Sequence, residues 1–159
     1  MYVPSEVFFV SGVGSHRTEV ASFERALRDA GIEPYNLVTV SSIFPPDATV
    51  VEPHEGVDRL EAGQVVHAVL GRETVEDGEA TAAVGAACAD EGHGYFIETD
   101  TTGDEAETLA REMVETSETT GEAARSFSVE SRATAEDGYT TAVAAAVLVP
   151  PQSITDASP

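Results

Sequence analysis

Ser41-Ser42-Ile43-Phe44-Pro45-Pro46 places two hydroxyls at the end of an apolar run, just before a proline pair. Adjacent serines on an extended, halted backbone can do chemistry on that backbone. The Ser42 hydroxyl attacks the preceding carbonyl and gives an ester. β-Elimination then cuts the chain after Ser41, and the dehydroalanine left at position 42 hydrolyses to a pyruvoyl group with loss of ammonia. Pro45 biases Phe44 toward extended geometry, and strain in such a segment would assist the acyl shift. Two polar residues ending a strand are also a common inert arrangement, and the dipeptide alone does not separate the two readings.

Other reagents are scarce. All eight basic residues are arginine, so an internal Schiff base with PLP and the lysine of a P-loop are both excluded. The single cysteine, Cys88, falls in an alanine-rich pattern and reads as buried filler. It leaves no intrachain disulfide and fits a reducing cytoplasm. His16, His54, His67 and His93 are scattered without metal-ligand spacing, so no metal is expected. His67 reads as an ordinary strand residue. Gly12-Val13-Gly14 follows an apolar run as a dinucleotide loop would, but Arg17 stands where the third glycine belongs, and a turn fits better.

Two carboxylates stand out from the acidic background. Glu24 follows Val20 by four and precedes Leu27 by three, at the edge of a helical apolar stripe. Glu98 closes the run Tyr95-Phe96-Ile97, where apolar surroundings would raise its pKa and suit it to proton donation. The plain alternatives are a boundary charge and a strand-end surface acid.

The chain carries 29 acids against 8 arginines, a formal net charge of -21 on 159 residues. Such self-repulsion strains a compact fold, whereas molar salt shortens the screening length to about 3 Å. The composition therefore suggests a salt-filled cytoplasm. A hydrophobic content of 42% and clear periodic segments argue against an acidic disordered chain. Nucleic acid and anionic membrane are poor partners for this surface. No signal-peptide pattern or membrane-length apolar run is visible.

The elements that must position these residues follow from periodicity. Val7 to Val10 reads as a strand running into a turn at 11–14, and Val20, Phe23, Leu27 and Ala30 as a helix stopped by Gly31. Asn36 to Ile43 reads as one strand cut off by the prolines. Residues 47–63 read as a loop and Gln64 to Leu70 as a strand. Ala80, Ala83, Val84, Ala87 and Cys88 read as a helix face, and Gly94 to Glu98 as a short strand. Asp104-x-x-Glu107 resembles a capping box opening a helix with Ala106, Leu109, Ala110 and Met113 inward. Phe127 to Ala133 and Tyr139 to Val149 read as a terminal hairpin around Glu136-Asp137-Gly138. A Pro/Ser-rich tail over 150–159 reads as disordered. Interleaved helices and strands ending in a hairpin predict a mixed sheet in one domain, 1–149.

Asn36-Leu37-Val38-Thr39-Val40-Ser41-Ser42-Ile43-Phe44-Pro45-Pro46 resembles the processing segment of pyruvoyl-dependent arginine decarboxylases. Ser22-Phe23-Glu24-Arg25-Ala26-Leu27 with Ala30-Gly31-Ile32 resembles the family's first helix. Gly94-Tyr95-Phe96-Ile97-Glu98 resembles its catalytic strand, and Ala106-Glu107 through Arg111-Glu112-Met113 its late helix. The final strand, Ala142 to Leu148, also fits. The likeness covers roughly positions 5 to 149.

The resemblance implies an α/β (α+β) fold, a four-layer αββα sandwich with mixed, largely antiparallel sheets. It implies a trimer of cleaved protomers with sites at subunit interfaces. Each protomer would have a β chain of 1–41 and an α chain of 42–159 headed by a covalent pyruvoyl group from Ser42, without PLP or metal. The implied reaction takes L-arginine to agmatine and CO2. By motif position Asn36 assists processing and Glu98 donates the proton. Glu24 stands where the family has an aspartate that binds the guanidinium, one methylene longer. The alternatives are a pyruvoyl decarboxylase for another amino acid and a non-catalytic oligomeric binding protein that keeps the fold uncleaved.

Overall fold

The computed structural model describes residues 1–117 and 121–152. In chain order the strands are β1 (Glu6–His16), β2 (Asn36–Thr39), β3 (Ile43–Phe44), β4 (Thr49–Val50), β5 (Val65–Val75), β6 (Glu79–Cys88), β7 (Gly94–Thr99), β8 (Arg125–Thr134) and β9 (Tyr139–Val149). Helix α1 (Glu19–Asp29) follows β1, α2 (Pro53–Val57) follows β4, and α3 (Gly103–Thr116) follows β7.

Two sheets stack face to face. One has the order β2-β5-β9-β1-β4 and the other β3-β7-β6-β8. The first is mixed, with β1–β4 and β2–β5 parallel and the remaining pairs antiparallel. The second is antiparallel throughout. Phe8, Val10, Ala26, Ile32 and Val143 cluster under α1 on the outer face of the first sheet. Ala87, Ala110 and Val114 cluster under α3 on the outer face of the second. Between the sheets lie Val7, Phe44, Val69, Phe96 and alternate alanines of β6 and β9. This is the expected four-layer αββα sandwich. No helix among the described residues is long and apolar enough to cross a membrane.

Several local expectations are corrected. The segment 80–88 is strand β6, not a helix face. Residues 82–89 are buried without alternation, because β6 is covered by α3 on one face and by the other sheet on its second. A doubly buried strand loses its period of two, and its alanines then mimic a helix. Gly12-Val13-Gly14 is not a turn, since β1 runs through it. A Cβ at Gly12 would lie 2.4 Å from Ala26 O, and one at Gly14 2.5 Å from Ala26 N. The glycines let α1 lie directly on the strand.

α1 ends as expected, at Gly31 with φ +82°. Its buried row is Ser22, Ala26 and Ala30, while Val20 is 74% exposed. Thr18 caps it, Oγ1 accepting from Ala21 N. α3 likewise starts earlier than the 104–107 box. Thr102 Oγ1 accepts from Glu105 N at 3.2 Å, and the buried row is Ala106, Ala110 and Val114 rather than Leu109 and Met113. In both helices small residues face the sheet, because a close approach of helix to strand leaves no room for the larger ones.

The last two strands are not a hairpin. β8 pairs with β6 and β9 with β1 and β5, so the connection at 135–138 carries the chain from one sheet to the other. Ser131 Oγ donates to Val143 O across the gap at 2.7 Å. The stretch 47–63 contains β4 and α2. The tail expected to be disordered lies outside the described residues over 153–159.

Gly85 of β6 tests the α3 contact. A Cβ there would sit 2.3 Å from Ala106 C, so Gly85→Ala should destabilise the protein by about 1–3 kcal/mol through overpacking. In an exposed helix the same change would stabilise by about 1 kcal/mol. Chemical denaturation separates the two signs.

Candidate active site

Asn36 to Ile43 is not one strand, and the point where it breaks is the serine pair. β2 runs parallel to β5, with Thr39 opposite Ala68. Val40 N extends the ladder by donating to Ala68 O at 3.0 Å. Ser42 already belongs to the other sheet, its carbonyl accepting from Phe96 N at 2.8 Å, and β3 pairs onward as Ile43–Tyr95 and Phe44–Gly94. The Ser41–Ser42 peptide therefore bridges two sheets, with one backbone hydrogen bond anchoring each side.

Phe44 fixes the far side. It is 1% exposed, with its ring 5.0 Å from Phe96 and stacked on Phe127. Such buried aromatic contacts give specific geometry as well as apolar burial. Ser41 is exposed and Ser42 partly so, which leaves both hydroxyls accessible at the open edge.

Glu98 stands two residues beyond Phe96 on β7, so the two side chains share a face. That face looks at the first sheet, as the burial of Phe96 in the inter-sheet cluster requires. The spacing puts Glu98 ~7 Å along the strand from the N–H that holds Ser42. Opposite it lies Gly71 of β5, where a Cβ would come 3.6 Å from Glu98 Cβ. Leu70, Gly71, Arg72, Thr99 and Asp100 complete a shallow groove around the carboxyl. Glu98 is exposed overall, yet partial desolvation by the groove raises its pKa above the ordinary glutamate value.

Asn36 and Glu24 lie elsewhere. Asn36 Nδ2 donates to Gly63 O at 2.8 Å, and it is six residues before Ser42, roughly 20 Å along an extended chain. Its side chain does not reach the serine pair of its own protomer. Glu24 is exposed on α1, outside the first sheet, whereas Glu98 faces between the sheets. Phe23, Leu27, Tyr35, Asn36, Thr39 and Arg72 line a groove of about 530 Å³ to which Glu24 does not contribute, a size that suits a small ligand. Thus the structure gathers Ser41, Ser42 and Glu98 at one edge, places Asn36 in a second groove and leaves Glu24 outside both.

Three features escaped the sequence. Arg72 lies over the Phe23 ring, 4.5 Å from its centroid, in cation–π geometry, and borders both grooves. Gly71 clears space opposite Glu98. Tyr2 reaches the serine segment and joins His67 by a hydrogen bond. No local pattern marks any of them, since each acts across 27 or more residues.

Ionisation of Glu98 should be visible in stability. A carboxyl with a folded pKa above its unfolded value binds a proton more tightly when folded, so stability falls as pH rises through that interval. Glu98→Gln removes the titration. The variant should gain on wild type from the ordinary glutamate pKa up to the raised one, with the gap constant above and absent below. Melting temperatures of the pair across that range would show it; a gap independent of pH would contradict it.

The chain matches the family model described as pyruvoyl-dependent arginine decarboxylase over residues 6–153. A pyruvoyl-dependent arginine decarboxylase of Archaeoglobus fulgidus is 46% identical, over 92% of this chain and 98% of the relative. One from Methanocella arvoryzae is 38% identical over 92% and 96%. A probable member from Chlorobaculum tepidum is 37% identical over 94% and 99%.

Proposed function

The chain belongs to the pyruvoyl-dependent arginine decarboxylase family, and from that premise we propose that it cuts itself between Ser41 and Ser42 and then decarboxylates L-arginine to agmatine and CO2. The observation that carries this is the bridging Ser41–Ser42 peptide, anchored to two different sheets, with Glu98 on the strand that anchors its second half.

Ser42 Oγ attacks the Ser41 carbonyl carbon. The C–N bond breaks, the nitrogen takes up a proton, and an ester remains between Ser41 and the Ser42 side chain. Loss of the Ser42 α-proton with rupture of its Cβ–O bond then releases residues 1–41 as a carboxylate. Hydrolysis of the dehydroalanine, with loss of ammonia, leaves the pyruvoyl end on 42–159. The residues present fit that group. Ser42 supplies its three carbons, the Phe96 N–H already fixes the carbonyl that remains attached, and the side chain opens on a groove edge.

Once formed, the group offers a carbonyl that takes the substrate α-amine and draws electrons as CO2 leaves. Glu98, held toward its neutral form by desolvation, keeps a proton available for the substrate α-carbon. Glu24 orients the guanidinium by a two-pronged, charge-assisted pair. Its extra methylene relative to the family's aspartate shifts that end of the pocket outward.

Oligomerisation completes the site. Val38, Val40 and Ile43, flanking the serine pair in sequence, are exposed apolar side chains, and exposed apolar surface of this kind marks an interface. Asn36 cannot reach its own Ser42. A trimer in which Asn36 and Glu24 of one protomer face the serine edge of the next reconciles both facts. The net charge of -21 points to a high-salt cytoplasm as the setting, and a melting temperature that does not rise between dilute buffer and molar salt would count against it.

Ser42→Ala should remain a single chain of 159 residues without arginine decarboxylation, while wild type yields fragments 1–41 and 42–159 on denaturing mass spectrometry, the larger one carbonyl-reactive. An intact wild-type chain after long incubation would favour a non-catalytic protein. Glu24→Ala should cleave normally and raise KM for arginine. Co-assembled with Ser42→Ala, it should recover part of the wild-type KM, because mixed trimers contain one intact interface site. No recovery would place Glu24 and Ser42 of the site on the same protomer.

A further inference from the structure

On the side of the serine pair away from Glu98 stand two side chains that the reaction above does not use. Tyr2 Oη and His67 Nδ1 are 2.8 Å apart, and the ring centroids are 5.8 Å apart. His67 lies on β5, cross-strand from Val38 on one side and Leu148 on the other. Tyr2 lines one hollow with Pro4, Val40, His67 and Leu148. It also lines the adjoining hollow with Val40, Ser41, Ile43, Pro45 and Pro46. One aromatic ring thus borders the surroundings of both halves of the bridging peptide.

We infer that Tyr2 and His67 are positioning residues for self-cleavage: their hydrogen bond fixes the wall of the hollow that Tyr2 shares with Val40 and Ser41, and so holds the Ser41 carbonyl within reach of the Ser42 hydroxyl. This rests on the Ser41–Ser42 bond being the one that is cut.

The need for such a clamp follows from how unequally the two halves are held. Beyond the bridge, Phe96 N–H grips the Ser42 carbonyl and Phe44 is sunk into the aromatic cluster. Before it, Val38, Thr39, Val40 and Ser41 are all exposed, and the last backbone bond is Val40 N to Ala68 O. Attack on a neighbouring carbonyl requires an approach of about 3–3.5 Å, and orientation alone changes such rates by orders of magnitude. Beyond that bond, the Ser41 half shares a hollow with Tyr2 of its own protomer, while its exposed valines face the neighbouring protomer in the proposed trimer. The segment behind Tyr2 is itself tied down, since Ser5 N donates to Val149 O and Ser5 O accepts from Thr49 N. Burial raises the phenol pKa of Tyr2, so the hydroxyl stays protonated and able to serve the bond at neutral pH.

The test follows cleavage of freshly synthesised precursor by denaturing mass spectrometry for wild type, Tyr2→Phe, His67→Gln and the double variant. Tyr2→Phe keeps the ring and loses the bond. His67→Gln keeps an acceptor and should be the milder. Tyr2→Phe should slow cleavage about tenfold, the rate equivalent of one neutral hydrogen bond. The double variant should be no slower than Tyr2→Phe. Hydroxylamine, which cleaves a preformed ester, should not restore the rate, because the affected step is ester formation. Once fully cleaved, Tyr2→Phe should turn over arginine with wild-type kcat. Wild-type cleavage rates in Tyr2→Phe would overturn the inference, as would full rescue by hydroxylamine or a tenfold loss of kcat in the matured variant. A wild-type chain that never cleaves would instead remove the Ser41–Ser42 reading beneath it, so the two failures are distinct.

Discussion

The chain must leave one sheet and enter the other within the two peptides around Ser41, and the rest of the site depends on that crossing. Val40 is the last residue bonded to β5 and Ser42 the first bonded to β7. A peptide held at both ends by different sheets has little freedom to relax as a local turn would. The proline pair that follows prevents the ladder from continuing regularly, and Phe44 secures the second anchor by burial. The geometry of this backbone is thereby tied to the completeness of the whole sandwich, because the two anchors belong to different sheets and are present together only when both have formed.

What lets the sheets meet is the small size of the residues between them. Ala80, Ala82 and Ala86 of β6 face Ala142, Ala144 and Ala146 of β9, and the bulky side chains Phe44 and Phe96 collect toward the serine edge. The same economy operates on the outer faces, where Gly12, Gly14 and Gly85 admit the helices. Dense packing makes such positions intolerant of added volume. It also makes the edge a rigid frame, from which Glu98 projects at a fixed distance from the serine anchor.

Electrostatically the site runs against its surroundings. In a chain so acidic, the pKa of Glu98 is raised, and partial burial rather than neighbouring charge is the cause. The cation Arg72 borders the same groove but lies over the Phe23 ring.

The residues proposed to carry the chemistry stand out one by one in the sequence. The serine pair before two prolines, the glutamate closing an apolar strand and the glycine stopping α1 all express local rules of backbone geometry and apolar period. Side-chain type and near-neighbour spacing suffice for these. The alanine-rich segment of β6 was not legible, because burial on both faces erases the period that distinguishes strand from helix. The hairpin expected from β8 and β9 failed for a related reason: a short turn says that two strands are neighbours, not that they share a sheet. The split of 36–43 into two sheets, the meeting of Tyr2 with His67 and the distance of Asn36 from its own Ser42 were decided by tertiary structure alone. Each depends on which strands become neighbours across tens of residues, and that choice is made by packing of the whole core rather than by any stretch of chain.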